Sequence, residues 1–215
     1  MENNLKVAAI QMISSSNYIQ NLQDAAALIA QAATQGAQLV ILPEFFISIS
    51  DSKDFNLLAE SLGNGRIQTQ LSDIARNNKI YLVAGTIPIL APQINKYYNT
   101  CIVYNNTGAK ICHYHKIHLF KFNNGEYNFD EGKQFIPGNQ VITFEIEGFN
   151  FGLSICYDLR FPEFFRQMAG VDAIILPAAF TYQTGLAHWE VLLRARAIEN
   201  QCYLIASAQG GNHSN

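Results

Sequence analysis

The chain has 215 residues, 49% of them hydrophobic and only 14% charged; an average soluble domain is about 25% charged, so much surface is expected to be buried, part of it in a subunit interface. A formal net charge of −3 offers no basic footprint for nucleic acid or for an anionic membrane surface. No apolar run approaches membrane-spanning length, and the short apolar segment Val7 to Ile10 is too brief for the core of a signal peptide.

In chain order, residues 5–11 alternate and predict a strand. Leu22, Ala25, Ala26, Ile29, Ala32 and Ala33 then recur at helical spacing, which predicts an amphipathic helix with Gly36 placed to cap it. The continuous apolar run 39–42, stopped by Pro43-Glu44, reads as a buried strand and completes a βαβ unit. The pattern repeats with Ile67, Leu71, Ile74 and Ala75 on a helix face and a strand over 80–86. Two hairpins follow. Asn105-Asn106-Thr107-Gly108 turns between strands 100–104 and 110–115, and Glu147-Gly148 between strands 141–146 and 149–155. Pro162 suits the first turn of a helix, residues 172–176 form another buried strand, and Trp189, Leu192, Leu193 and Ala197 mark a last helix face. Glu190 and Arg194 pair on another side of that helix, and a strand over 203–208 closes the pattern. Crossovers imply parallel neighbours and hairpins antiparallel ones, so the expected fold is layered α/β with mixed sheets. No linker or repeat divides it, and one domain over 1–215 is expected.

Four cysteines, Cys101, Cys112, Cys156 and Cys202, show neither a Cys-x-x-Cys pair nor a disulfide-framework spacing, which fits a reducing, cytosolic setting. Cys156 stands out among them. It ends the apolar run 151–155 and opens the polar stretch that follows, the place of a sharp strand-to-helix turn that lifts a nucleophile from the sheet edge beside free backbone N–H groups. The plainer alternative is a buried small hydrophobe. Glu44 lies at the carboxyl end of a buried strand, where α/β folds build their sites, or is an ordinary loop acid. Lys116 follows strand 110–115 among the apolar Ile117, Leu119 and Phe120, so it is either a partly desolvated ammonium or a surface charge.

Other chemistries find less support. His113, His115 and His118 suggest a metal cluster, yet no Asp, Glu or Cys spacing completes a zinc set. Ser154 lacks the Gly-x-Ser-x-Gly pattern. A Cys/His pair with His188 as base stays open. Without a Gly-x-Gly-x-x-Gly or P-loop motif, no nucleotide cofactor is indicated, and none of any kind is expected.

Taken together, Leu42-Pro43-Glu44-Phe45, His115-Lys116-Ile117-His118-Leu119-Phe120 and Ile155-Cys156-Tyr157-Asp158-Leu159-Arg160-Phe161-Pro162-Glu163 resemble the nitrilase superfamily of carbon–nitrogen hydrolases. The similarity extends from Lys6-Val7-Ala8-Ala9-Ile10-Gln11 through residues 187–199 to Ala208-Gln209-Gly210-Gly211, and looks most like the deaminated glutathione amidase and ω-amidase-like branch. The resemblance implies an αββα sandwich that dimerises into a four-layer stack. It implies a Glu44-Lys116-Cys156 triad: Glu44 as general base, Cys156 as the nucleophile that forms a thioester, and Lys116 with the Tyr157 N–H as oxyanion stabiliser, the ammonium also favouring the thiolate. Glu131, spaced to Pro137-Gly138 as in the family, matches a second glutamate, with Glu126 as alternative; Phe180 and Thr181 match substrate-pocket positions.

The family pattern continues beyond the Gln-Gly-Gly-x-His region into further strands, so the fold is expected to lack its last strands and tail. The expected substrate is a small amide, deaminated glutathione first, with an ω-amide of an α-keto acid as rival; a non-catalytic binding protein is the alternative from another class. A homodimer or higher homo-oligomer is expected, without nucleic acid or membrane.

Overall fold

The computed structural model describes residues 4–49, 55–123, 125 and 128–213. The first half of the chain runs through β1 (Val7–Ala9), α1 (Tyr18–Thr34), β2 (Leu39–Ile41), α2 (Phe55–Leu58), α3 (Arg66–Asn78), β3 (Tyr81–Val83), β4 (Ile87–Leu90), β5 (Tyr97–Tyr104) and β6 (Lys110–His115). The second half contains β7 (Lys121–Asn123), β8 (Asn128–Asp130), β9 (Thr143–Ile146), β10 (Phe149–Leu153), α4 (Pro162–Arg166), β11 (Ala173–Ala178), α5 (Tyr182–Asn200) and β12 (Tyr203–Ala208), with 3-10 turns at Glu131–Lys133 and Cys156–Arg160.

Two mixed sheets carry the molecule. In the first, β1, β2 and β3 run parallel, β5 is antiparallel to β3, β4 and β6, and β3 and β4 lie end to end along one edge of β5. In the second, β10, β11 and β12 are parallel and β9 returns antiparallel to β10. Strand alternation decides what each face meets. Leu39, Ile41, Val83, Cys101, Val103 and Tyr114 of the first sheet pack on Phe144, Ile146, Phe151 and Leu153 of the second. Val40, Leu42, Leu82 and Ile102 point the other way, against Leu22, Ala25 and Ile29 of α1 and Leu71 and Ala75 of α3. Each buried Ile or Leu in these seams contributes about 1.5–3 kcal/mol. Helices α4 and α5 lie outside the second sheet, with Trp189, Leu192 and Leu193 turned to the core. This is the expected αββα sandwich.

The local signals read from sequence have physical counterparts. Asn17 caps α1 by accepting the Gln20 N–H at 3.2 Å, and at the other end the Gly36 and Ala37 N–H groups return to the Ala33 and Ala32 carbonyls, a paired C-terminal lock. Glu147 and Gly148, both with positive φ, make the two-residue turn that joins β9 to β10.

The largest departure is the strand expected over 80–86. Only β3 forms there, because the chain bends at Gly85 (φ +53), where a Cβ would stand 2.2 Å from the Pro43 carbonyl; only glycine tolerates that approach, and the unforeseen β4 starts beyond it at Ile87. The bend seats the β3–β4 link against the segment that carries Glu44. The short helix α2 and the β7–β8 hairpin were not foreseen, and β5 begins three residues before the expected strand. The strand expected over 5–11 shortens to β1. Among the described residues no helix is long and apolar enough to cross a membrane.

Candidate active site

Three segments deliver charged or nucleophilic groups to one point: the end of β2 brings Glu44, the end of β6 brings Lys116, and the end of β10 brings Cys156. All three are buried, Glu44 and Lys116 to 1% exposure and Cys156 to 8%. Glu44 is the hub. Its Oε1 accepts the Lys116 ammonium at 2.9 Å and the Asn99 side-chain amide at 2.9 Å, and its Oε2 accepts the Ala179 N–H at 3.0 Å. The same carboxylate acts on the Cys156 thiol and raises its pKa.

Lys116 is held from every side. Its N–H donates to the Asn99 carbonyl, and its own carbonyl accepts the Gly138 N–H, both at 2.9 Å. A Cβ at 138 would stand 2.3 Å from the His115 carbonyl, so that approach requires glycine. The ammonium also reaches Glu131, 3.0 Å from Oε1 and 2.9 Å from Oε2. Glu131 in turn accepts the Phe120 N–H through Oε2 at 2.6 Å. Burial alone would strip the proton from Lys116, but the Glu131 and Glu44 carboxylates outweigh it and hold the lysine pKa well above its ordinary value. Burial raises the Glu131 pKa against the pull of Lys116.

Cys156 has φ +45, a left-handed conformation that a non-glycine residue adopts only where its surroundings impose it. It opens the 3-10 turn Cys156–Arg160, where the Tyr157 N–H has no partner inside the helix. Burial, and after it the Glu44 carboxylate, push the thiol well above the usual cysteine range; Lys116 and the Ala179 N–H pull the other way without prevailing. The ammonium does favour the thiolate, as expected, but burial and Glu44 outweigh it. In the resting site the sulfur keeps its proton.

Tyr157 and Phe180 flank Arg160, whose guanidinium carbon lies 5.8 Å and 5.6 Å from their ring centroids. Thr181 is exposed, and its hydroxyl meets that of Thr184 in α5. Among the described residues Arg160 has no carboxylate partner; His188 lies 3.4 Å away. His188 is exposed on α5, and the group at the thiol is Glu44, so the Cys/His pair is not formed. The histidines read as a metal cluster do not converge: His113 and His115 pack edge to face, while His118 bonds Asp158 and stacks on Phe161. Glu126 lies outside the described residues. Sequence reasoning missed Asn99, the Ala179 N–H, Arg160 and the role of Asp158. Arg160 and Asp158 stood inside the quoted Cys156 motif, which was the one signal that pointed to them.

Comparison with known proteins sets the chain among enzymes of the amidase class. A family model described as carbon-nitrogen hydrolase matches residues 6–215, and the chain belongs to that family. It is 41% identical over 212 residues to a deaminated glutathione amidase from Synechocystis sp., covering 96% of this chain and 78% of the relative. It is 40% identical over 206 residues to the omega-amidase NIT2 of Homo sapiens, covering 94% and 74%. The crystal structure of Saccharomyces cerevisiae Nit3, a member of branch 10 of the nitrilase superfamily, superposes with a TM-score of 0.86 at 36% identity, covering 97% of this chain and 76% of that one.

Proposed function

We propose that the protein hydrolyses the amide of a small α-keto acid through a thioester on Cys156, with deaminated glutathione as first substrate and an ω-amide of an α-keto acid as second. One observation carries the reading: a single buried carboxylate, Glu44, bonds the ammonium and acts electrostatically on the thiol. Because the resting thiol is protonated, attack on the amide carbon is coupled to transfer of its proton to Glu44. The carbonyl electrons move onto oxygen. Of the three ammonium N–H groups of Lys116, Glu44 and Glu131 occupy two; the third, with the Tyr157 N–H, meets the oxyanion. The tetrahedral adduct collapses, the C–N bond breaks, and the leaving amine takes the proton from Glu44. Glu44 then removes a proton from water as it attacks the thioester, and the thiol leaves with that proton as the free acid forms.

Glu131 fixes the lysine. Arg160, a cation without an acid partner among the described residues and held between Tyr157 and Phe180, supports recognition of a substrate carboxylate. Both substrate candidates carry one. The relatives' names support the same two candidates.

The protein is read as a homodimer in a reducing cytoplasm. Leu186, Val191 and Ile198 of α5 and Tyr203 of β12 expose large apolar side chains, which suits a subunit contact, and the four cysteines are free thiols. The test is incubation with both amides and identification of products: deaminated glutathione yields a cysteinyl dipeptide, the ω-amide yields ammonia. No turnover of either by protein with an intact Cys156 would overturn the reading.

A further inference from the structure

One buried carboxylate outside the proposed triad joins the segment of Lys116 to the turn of Cys156. Asp158 is fully buried, and each of its oxygens takes two donors. Oδ2 accepts the Tyr114 phenol at 2.7 Å and the Ile155 N–H at 2.8 Å. Oδ1 accepts the His118 N–H at 3.0 Å and the His118 ring at 2.7 Å; a carboxylate only accepts, so His118 Nδ1 carries the proton.

The placement of those donors matters. Tyr114 and His118 stand two residues before and two after Lys116, and the Tyr114 hydroxyl also accepts the Ile117 N–H at 3.2 Å. Ile155 precedes Cys156 directly. His118 has no freedom to drift, because its ring stacks on Phe161 at 3.7 Å and meets Phe164 edge-on. A carboxylate at this point therefore fixes two chain segments that share no strand pairing: β6 lies in the first sheet and β10 in the second.

We propose that Asp158 is a positioning residue for amide hydrolysis, setting the separation of the Lys116 ammonium from the Cys156 sulfur through the residues that flank both. This rests on the reading of Cys156 as nucleophile and Lys116 as its oxyanion partner. An amide at 158 would turn an N–H₂ toward two of the four donors and release one of the segments. A displacement of about 1 Å between reacting groups lowers rate by about 10²-fold.

The experiment compares wild type, Asp158→Asn, Tyr114→Phe and Asp172→Asn. Asp172 supplies the control, since its carboxylate also accepts a backbone N–H, from Asn150 at 2.7 Å, but at the opposite end of β11 from the site. Each protein is treated with iodoacetamide under native conditions, and labelling of Cys156, Cys202 and Cys101 is followed by peptide mass spectrometry beside amide turnover. In Asp158→Asn the Cys156-to-Cys202 labelling ratio is expected to fall by about 10²-fold. Buried Cys101 stays protected, and kcat drops while KM holds. Tyr114→Phe moves the ratio the same way by less, and Asp172→Asn leaves it unchanged.

A purely structural role predicts the reverse direction, with Cys101 and Cys156 both labelled faster as the core loosens, and that result overturns the proposal. So does an unchanged ratio in folded Asp158→Asn or, should that variant be insoluble, in Tyr114→Phe. A fallen ratio in a protein whose wild type turns over neither amide supports the positioning role and sinks the assigned reaction instead.

Discussion

The charged groups at the end of the sandwich fall into two sets, and they differ in water. Glu44, Lys116 and Glu131 are nearly sealed, at 1%, 1% and 5% exposure, and each is bound to another member or to a backbone N–H. Arg160 stands at the rim, half-buried between two rings and without an acid partner among the described residues. A dry cluster keeps its field unscreened and its atoms fixed, which suits the making and breaking of bonds. A wet cation keeps its charge on offer, which suits capture of an anion. Substitutions in the first set should therefore strike kcat and stability, and those in the second KM.

The largest effect belongs to the sulfur. Cys156→Ala is expected to lower amide hydrolysis by at least about 10⁴-fold, the scale seen when a nucleophile is removed. Steady-state product release checks it, and loss of less than tenfold would place the bond chemistry elsewhere. Lys116→Met keeps most of the side-chain volume but leaves Glu44 and Glu131 facing each other without a cation. Turnover should fall by about 10²–10³-fold and unfolding free energy by about 3–5 kcal/mol, read from denaturant melts. A variant as stable as wild type would break the contrast between dry and wet charges.

Alkaline pH tests the same cluster through stability. The folded state holds the Cys156 proton well above the value of 9.0 expected of a free thiol, so above pH 9.0 the unfolded chain binds fewer protons than the folded one and stability falls as pH rises. This one group contributes a slope of about 1.4 kcal/mol per pH unit. Lys116 adds to it later: its stabilisation is complete below the ordinary lysine value of 10.5 and is lost as pH climbs through the raised folded value. Melts of wild type and Cys156→Ala from pH 8 to pH 11 should diverge, with a shallower decline in the variant; parallel curves would mean that the thiol is not held protonated.

How much of this was legible follows from where each group sits. Glu44, Lys116 and Cys156 lie at the ends of apolar or alternating runs, so strand patterning pointed at all three and a family motif joined them. The geometry that unites them was hidden, since an ion pair across 72 positions leaves no periodic trace. Asn99 reads as one more polar residue on a strand, although its amide holds Glu44. The Ala179 contribution is a backbone N–H, which no side-chain pattern reports. The bend at Gly85 arises from the approach of the Pro43 carbonyl, a tertiary contact, and that is why the strand over 80–86 was drawn past the end of β3 at Val83. In the β7–β8 hairpin Phe122 and Phe129 are exposed, so the buried–exposed alternation that reveals a strand is missing there.

The smallest expected effect is the sharpest test of the division. Arg160→Ala removes a cation that touches neither the carbonyl being attacked nor the groups that polarise it, so kcat should stay within about threefold, while KM for an amide bearing a carboxylate should rise by about tenfold, equivalent to about 1.4 kcal/mol of lost binding. A half-buried charge at the edge of water is still screened by salt, and the KM of wild type should therefore increase with ionic strength while that of the variant stays flat. Arg160→Lys separates charge from shape: lysine keeps the positive charge but loses the planar fork and the stacking between Tyr157 and Phe180, and its KM should fall between the other two. If KM is unmoved in both variants and kcat drops instead, Arg160 works with the buried set and the line between dry chemistry and wet recognition lies elsewhere in the site.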